Sequence, residues 1–263
     1  MDPSISSEPA ADFPAVLRRQ GLHPAPFLAA PHPASAVPDS THATTILAFK
    51  FSGGVLMAGD RRATAGNVVV YDRADKVLEI DRHSLMAIAG VPATAWEMAR
   101  VLEHSFQFYR RTQLQEMSLD GKVRALSKLL RDNFGFVMQG VGIVVPIFAT
   151  YDAPAQAARL YFYDAMGAQF EAADYAVSGS GSPAVRSVLY YENTWGARPL
   201  RERTREEAVI LALRALDTAA DLDTATGGVD RRGRIYPILK IVSVAGISTL
   251  GDEELASVFR QNV

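Results

Sequence analysis

Eight of the fourteen prolines fall within the first 43 residues: Pro3, Pro9, Pro14, Pro24, Pro26, Pro31, Pro33 and Pro38. Each fixes φ, removes a backbone donor and restricts its predecessor, so this stretch sustains neither a long helix nor a strand. Phe13, Val16 and Leu17 fit one short helical turn, and Phe27-Leu28 suits a groove. Otherwise the segment lacks a hydrophobic period, whereas from Thr45 onward the chain alternates and orders. Residues 1–43 therefore read as a removable prosegment, or more simply as a tail, and residues 44–263 as one domain.

That domain has ample material for a core, since the 263-residue chain is 48% hydrophobic. A formal charge of −2 gives no electrostatic footprint for nucleic acid or an anionic membrane. With no cysteine, a disulfide framework, a thiol nucleophile and thiolate metal sites are excluded. No apolar run is long enough to span a bilayer. The opening Met1-Asp2-Pro3, with Glu8 and Asp12 close behind, lacks the apolar stretch of a secretory signal. A cytoplasmic location is the expectation.

Within the domain, residues 45–51 and 55–60 read as strands joined at Ser52-Gly53-Gly54. Residues 61–67 read as loop, and 68–71, 76–80 and 85–89 as short strands, the last closed by Gly90. A helix is expected from Thr94 to about Gln115, with Trp96, Ala99, Leu102 and Phe106 on one face. Ser118 caps a second helix whose apolar stripe runs Val123, Leu126, Leu130, Phe134 and Val137. Residues 141–151 are almost continuously apolar and read as one strand buried on both faces. Residues 160–163 and 169–172 form a hairpin, and residues 178–182 a small-residue turn into a helix at Pro183. Thr204-Arg205-Glu206-Glu207 is a capping box opening a further helix. After a loop at 223–228 come a hairpin from 238–244 and a terminal helix at 252–260. Hairpin-grouped strands and two helix pairs predict an α+β fold: a four-layer αββα sandwich of two antiparallel sheets between helical layers.

Chemistry is approached by elimination. Of five histidines, His23, His32 and His42 lie in the proline-rich segment, and neither His83 nor His104 belongs to a motif. A Ser-His-Asp triad and a histidine metal site are poorly supported. The run Ser178 to Ser182 resembles a phosphate cradle but lacks its lysine. Thr44, at the junction of tail and domain, offers another chemistry. Cleavage just before it gives one residue both a nucleophilic hydroxyl and an α-amine to deprotonate it. Asp60, Lys76 and Gly90 stand at strand ends, where each also has a plain explanation as turn residue, solvated charge or bend.

The segment Thr44-Thr45-Ile46-Leu47-Ala48, followed by Gly53-Gly54-Val55-Leu56-Met57-Ala58-Gly59-Asp60-Arg61-Arg62-Ala63-Thr64, resembles the start of a mature 20S proteasome β subunit. The likeness continues through Lys76, Ile88-Ala89-Gly90, Gly179-Ser180-Gly181-Ser182 and Asp223-Thr224-Ala225-Thr226-Gly227-Gly228, in that family's order and near its spacing. The proline-rich leader and the late loop resemble the bacterial, actinobacterial type most closely. The resemblance implies an N-terminal-nucleophile hydrolase fold and a self-processed threonine endopeptidase. In it Thr44 is the nucleophile, Asp60 and Lys76 the charged pair beside it, and the Gly90 N–H the oxyanion donor. Ser180, Asp223 and Thr226 hold the terminal amine and its water. Ala63, Thr64, Ala74, Leu78, Ile88, Pro92 and Trp96 match substrate-contact positions; they are mostly apolar, which implies cleavage after hydrophobic residues, although Trp96 is equally readable as helix core.

The processing site is the Ala43–Thr44 bond. The family usually has glycine where this chain has Ala43, and a Cβ there costs about 1 kcal/mol if φ is positive, which slows self-cleavage. No cofactor or metal is implied. The implied partners are further β subunits in heptameric rings, α-subunit rings, an ATP-dependent unfoldase ring and polypeptide substrates. Two alternatives accompany this reading: a catalytically silent ring subunit, and the shorter two-ring bacterial protease of HslV type.

Overall fold

The computed structural model describes residues 13–20, 44–65, 68–230 and 235–263. Ala43, Phe27-Leu28 and most of the proposed prosegment thus lie outside the described residues, as do Gly66 and Asn67 of the expected loop. Helix α1 (Phe13–Arg19) takes up the short turn expected around Phe13. The hairpin β1 (Thr45–Phe51) and β2 (Gly54–Gly59) comes next, then a small ribbon of β3 (Ala63–Ala65) and β4 (Val68–Tyr71). Strands β5 (Val77–Asp81) and β6 (Ser84–Ala87) precede helices α2 (Pro92–Gln113) and α3 (Leu119–Asp132) and the single turn α4 (Phe134–Val137). The chain returns through β7 (Ile147–Asp152), β8 (Ala157–Tyr163), β9 (Gln169–Glu171) and β10 (Tyr175–Gly179). It closes with α5 (Ser182–Thr194), α6 (Arg205–Leu222), the hairpin β11 (Ile238–Ser243) and β12 (Gly246–Thr249), and α7 (Asp252–Asn262).

One sheet has the order β10-β1-β2-β11-β12 and the other β5-β6-β7-β8-β9, each antiparallel throughout. Successive side chains of a strand point to opposite faces, and β1 uses both. Ile46 and Ala48 pack between the sheets with Met57, Leu85, Ile147 and Leu160. Leu47 and Phe49 pack outward with Leu56 against Leu189 of α5 and Ala212 and Leu216 of α6. The far face of the second sheet, Ile80, Met86 and Phe148, is covered by Leu102 and Phe106 of α2 and Leu126 and Leu130 of α3. The expected helix–sheet–sheet–helix sandwich is what the chain forms. Both predicted caps are made: Ser118 Oγ accepts from Gly121 N–H, and Thr204 and Glu207 close the reciprocal box.

Several expected elements differ. Residues 141–151 are not one strand: Gly142 has φ +70°, Pro146 has no N–H to give, and before Ile147 the pairing is a single bridge between Gly90 and Val144. The second helix stops at Asp132, where the Asn133 side chain turns to donate to the Gly142 carbonyl at 2.6 Å. Phe134 and Val137 consequently leave the core stripe, and no residue of α4 is buried. Helix α2 starts two residues early, at Pro92, a residue pre-set for a first turn. Strand β3 lies in a stretch that reads as loop, and β10 takes in Ser178 and Gly179 of the expected turn. On the outer face of α2, Phe13 of α1 stacks on His104 at 6.2 Å between ring centroids and lies 5.6 Å from Phe108.

Candidate active site

The head of β1 is a place where four chain segments converge. Thr44 is 4% exposed, and its carbonyl accepts the Ser180 N–H at 2.9 Å. One residue on, the Thr45 N–H donates to Asp60 Oδ1 at 2.8 Å, and the Thr45 carbonyl accepts the Asp60 N–H at 3.1 Å. Gly179 makes this approach possible. Its φ is +95°, and a Cβ there would lie 1.8 Å from the Thr44 carbonyl oxygen. The start of the glycine-serine run, Ser178-Gly179, is therefore the end of β10, pressed against Thr44, while Ser180-Gly181 makes the expected turn into α5.

Beneath the strand head lies a buried charge pair. Lys76 Nζ donates to Asp60 Oδ1 at 2.7 Å and to the Arg62 carbonyl at 2.5 Å. Asp60 Oδ2 accepts the N–H groups of Arg62 at 3.0 Å and Gly227 at 2.9 Å. One carboxylate with no exposed surface thus takes four donors, the full set of partners that burial of such a group demands. Burial pulls the Lys76 ammonium below its usual pKa; the charge and hydrogen bond of Asp60 oppose this, and the Arg62 guanidinium adds to it.

A second cluster sits on the other side of Thr44. Ser180 Oγ donates to Asp223 Oδ2 at 2.6 Å, and Thr226 Oγ1 donates to the same oxygen at 2.6 Å. Desolvation raises the Asp223 carboxyl, but the bonds from Ser180, Thr226 and the Ala225 N–H, with the Arg62 charge, leave it below its usual value. Arg62 Nη1 fastens this loop by donating to the Thr224 carbonyl at 3.0 Å and the Thr226 carbonyl at 3.1 Å. Gly90 has φ +118°, and no acceptor among the described residues takes its N–H.

Thr44, Asp60, Lys76, Ser180, Asp223 and Thr226 are therefore gathered as the resemblance implied. The substrate-contact candidates are more scattered. Ala74 and Ile88 are buried, Pro92 is exposed, and Ala63 and Thr64 stand on the β3 ribbon. Leu78 and Trp96 share a cavity of about 370 Å³ with Ala99. Trp96 is 40% exposed, so it is not helix core. The opposite wall of that cavity is charged: Lys240 reaches Glu79 at 3.2 Å and Asp75 at 3.5 Å. Thr45, Arg62 and Gly227 carry contacts in the site that sequence reasoning missed. A hydroxyl at the first strand position, an arginine two residues past an aspartate and a glycine in a loop are too common to stand out alone.

The four layers, with a threonine at the head of a central strand, define an N-terminal-nucleophile hydrolase sandwich. Within that class the chain belongs to the proteasome subunit family, whose pattern matches residues 40–233. It is 39% identical over 238 residues to proteasome subunit beta 2 of Thermomonospora curvata, covering 90% of this chain and 78% of that one. It is 37% identical over 231 residues to a proteasome subunit beta of Streptomyces griseus, covering 87% and 79%. A third relative, from Streptosporangium roseum, is 41% identical over 217 residues, covering 81% and 73%. These relatives are β subunits of actinobacteria. Among the described residues, no helix is long and apolar enough to cross a membrane.

Proposed function

We propose that this chain is the proteolytic β subunit of a proteasome core particle, and that it becomes a threonine endopeptidase when the Ala43–Thr44 bond is cut. The observation that carries the reading is the buried Lys76–Asp60 pair, packed under a strand head whose carbonyl is already held by Ser180. A structural subunit has little use for such a pair, because desolvating two charges rarely repays its cost. A subunit whose nucleophile must be activated does have a use for it.

Once the bond is cut, Thr44 Oγ attacks the substrate carbonyl and its proton passes to the freed α-amine. The Lys76 ammonium lowers the pKa of both groups, so the amine stays neutral and basic. The Gly90 N–H stabilises the developing oxyanion. The amine returns the proton to the leaving nitrogen, and water then releases the acyl group from Thr44. Ser180, Asp223 and Thr226 hold the amine and that water. Leu78 and Trp96 receive an apolar residue ahead of the scissile bond. Copies of the chain form heptameric rings that stack with α-type rings and receive unfolded polypeptide from an ATP-driven unfoldase in the cytoplasm. Confinement of this kind keeps an indiscriminate protease from its surroundings.

N-terminal sequencing of the assembled particle, beside a Thr44→Ala variant, tests the reading. Threonine at the new terminus, with peptide hydrolysis lost in the variant, supports it. An uncut chain, or undiminished hydrolysis without the Thr44 hydroxyl, would overturn it in favour of a silent ring subunit.

A further inference from the structure

Thr45 is fully buried, yet its hydroxyl is not idle. The Gly181 N–H donates to Thr45 Oγ1 at 3.0 Å, and Thr45 Oγ1 lies 2.5 Å from Thr226 Oγ1. Thr226 Oγ1 is in turn 2.6 Å from Asp223 Oδ2, which also receives Ser180 Oγ at 2.6 Å. Counting protons fixes every direction. An ionised carboxylate accepts only, so Thr226 and Ser180 spend their hydroxyl protons on Asp223. Thr226 then has no proton left for Thr45, and the Thr45 hydroxyl must donate to Thr226. The backbone N–H of Gly181 completes the chain, because it can only donate to Thr45.

We propose that Thr45 is a positioning residue, whose hydroxyl anchors Thr226 and so fixes the place of the Thr226–Asp223–Ser180 relay beside Thr44. Within that relay Ser180 Oγ, having given its proton to Asp223, keeps its lone pairs for the amine at Thr44. Thr45 cannot stand in for Thr44 as nucleophile without breaking this chain, since its only proton goes to Thr226 and one of its two lone pairs to the Gly181 N–H. This inference rests on the proposed function, and it assigns a role to a residue that touches neither substrate nor scissile bond.

The test uses the full-length chain in its assembled particle, with a fluorogenic peptide carrying leucine before the cleaved bond. In Thr45→Val a methyl replaces the hydroxyl, and a carbon–oxygen contact needs roughly 3.3 Å where the hydrogen bond has 2.5 Å. Thr226 must shift by most of an ångström and loosen its hold on Asp223. A displacement of about 1 Å can cost about 10²-fold in rate, so kcat is expected to fall roughly 10- to 100-fold with KM within about twofold. The acid limb of the kcat profile moves to higher pH, because Asp223 loses a donor while Arg62 and the Asp60–Lys76 pair behind Gly227 stay in place. Thr45→Ser restores both quantities. Should Thr45→Val fail to assemble, Thr45→Ala removes the hydroxyl without the clash and must move both quantities in the same direction, because Thr226 loses the hydrogen bond that anchors it. Unchanged kcat and acid limb, or a serine variant no better than valine, overturn the role. Neither outcome touches the proposed function, which the Thr44→Ala particle judges separately.

Discussion

The Lys76 ammonium lies 2.7 Å from Asp60 Oδ1, with the two side chains 5% and 0% exposed. Removing one partner leaves the other charged and dry, a change that costs about 3–5 kcal/mol. Asp60→Asn is therefore expected to lower the melting temperature sharply and to leave the chain uncut at Ala43–Thr44. Thermal denaturation and intact mass measure the two effects. An asparagine variant that is processed and melts like wild type would sink the assignment of this pair.

The same pair sets a pH limit. Burial holds the Lys76 pKa below its usual 10.5, so the working ammonium is lost at a lower pH than in a free lysine. Activity is expected to decline on the alkaline side before 10.5. The stability term has the opposite sign. Between the lowered folded pKa and 10.5 the unfolded chain binds more protons, so stability rises with pH across that window. Because Arg62 also pushes Lys76 down, Arg62→Gln should move the alkaline limb of kcat/KM upward. A limb that stays put or moves down contradicts the arrangement.

Gly179→Ala should be far more damaging than an alanine substitution elsewhere in the sheet. The left-handed φ alone costs about 1 kcal/mol, and the new carbon would meet the Thr44 carbonyl oxygen head-on. β10 would have to part from β1 at the residue that must react. The expected result is a precursor that keeps its leader. Normal maturation of this variant, read by intact mass, would show that the close approach is dispensable.

Trp96→Ala enlarges the cavity it shares with Leu78. A lost apolar contact in a specificity pocket changes discrimination by about 10- to 200-fold. The loss should appear mainly as a raised KM for peptides with a large apolar residue before the cut, with little change for small ones. Equal effects on both peptide types would place Trp96 outside the substrate site.

How much of this was legible in the chain depends on the range of the interaction. The buried stripe of α2 through Ala99, Leu102 and Phe106 follows from spacing, because period 3.6 is a local property, although Trp96 of the same expected face is exposed. Thr44, Asp60 and Lys76 were singled out through resemblance, and the fold brings them together. What escaped was set by distant partners. Tyr175–Gly179 is a strand because β1 offers it a ladder, not because its glycine and serine prefer one. Residues 141–151 satisfied the apolar criterion yet yield strand only from Ile147, since Gly142 and Pro146 disrupt the backbone before it. The Thr45 hydroxyl gained meaning only beside Thr226, 181 positions along the chain.

The donors around the Asp60 carboxylate are spread widely along the chain. They come from Thr45, Arg62, Lys76 and Gly227, so the last of them leaves the ribosome long after the first. A nascent chain that has already made its first sheet hairpin still lacks the donor that completes the anion's shell. On the proposed function, a chain still on the ribosome would lack a complete site until nearly all of it had been translated.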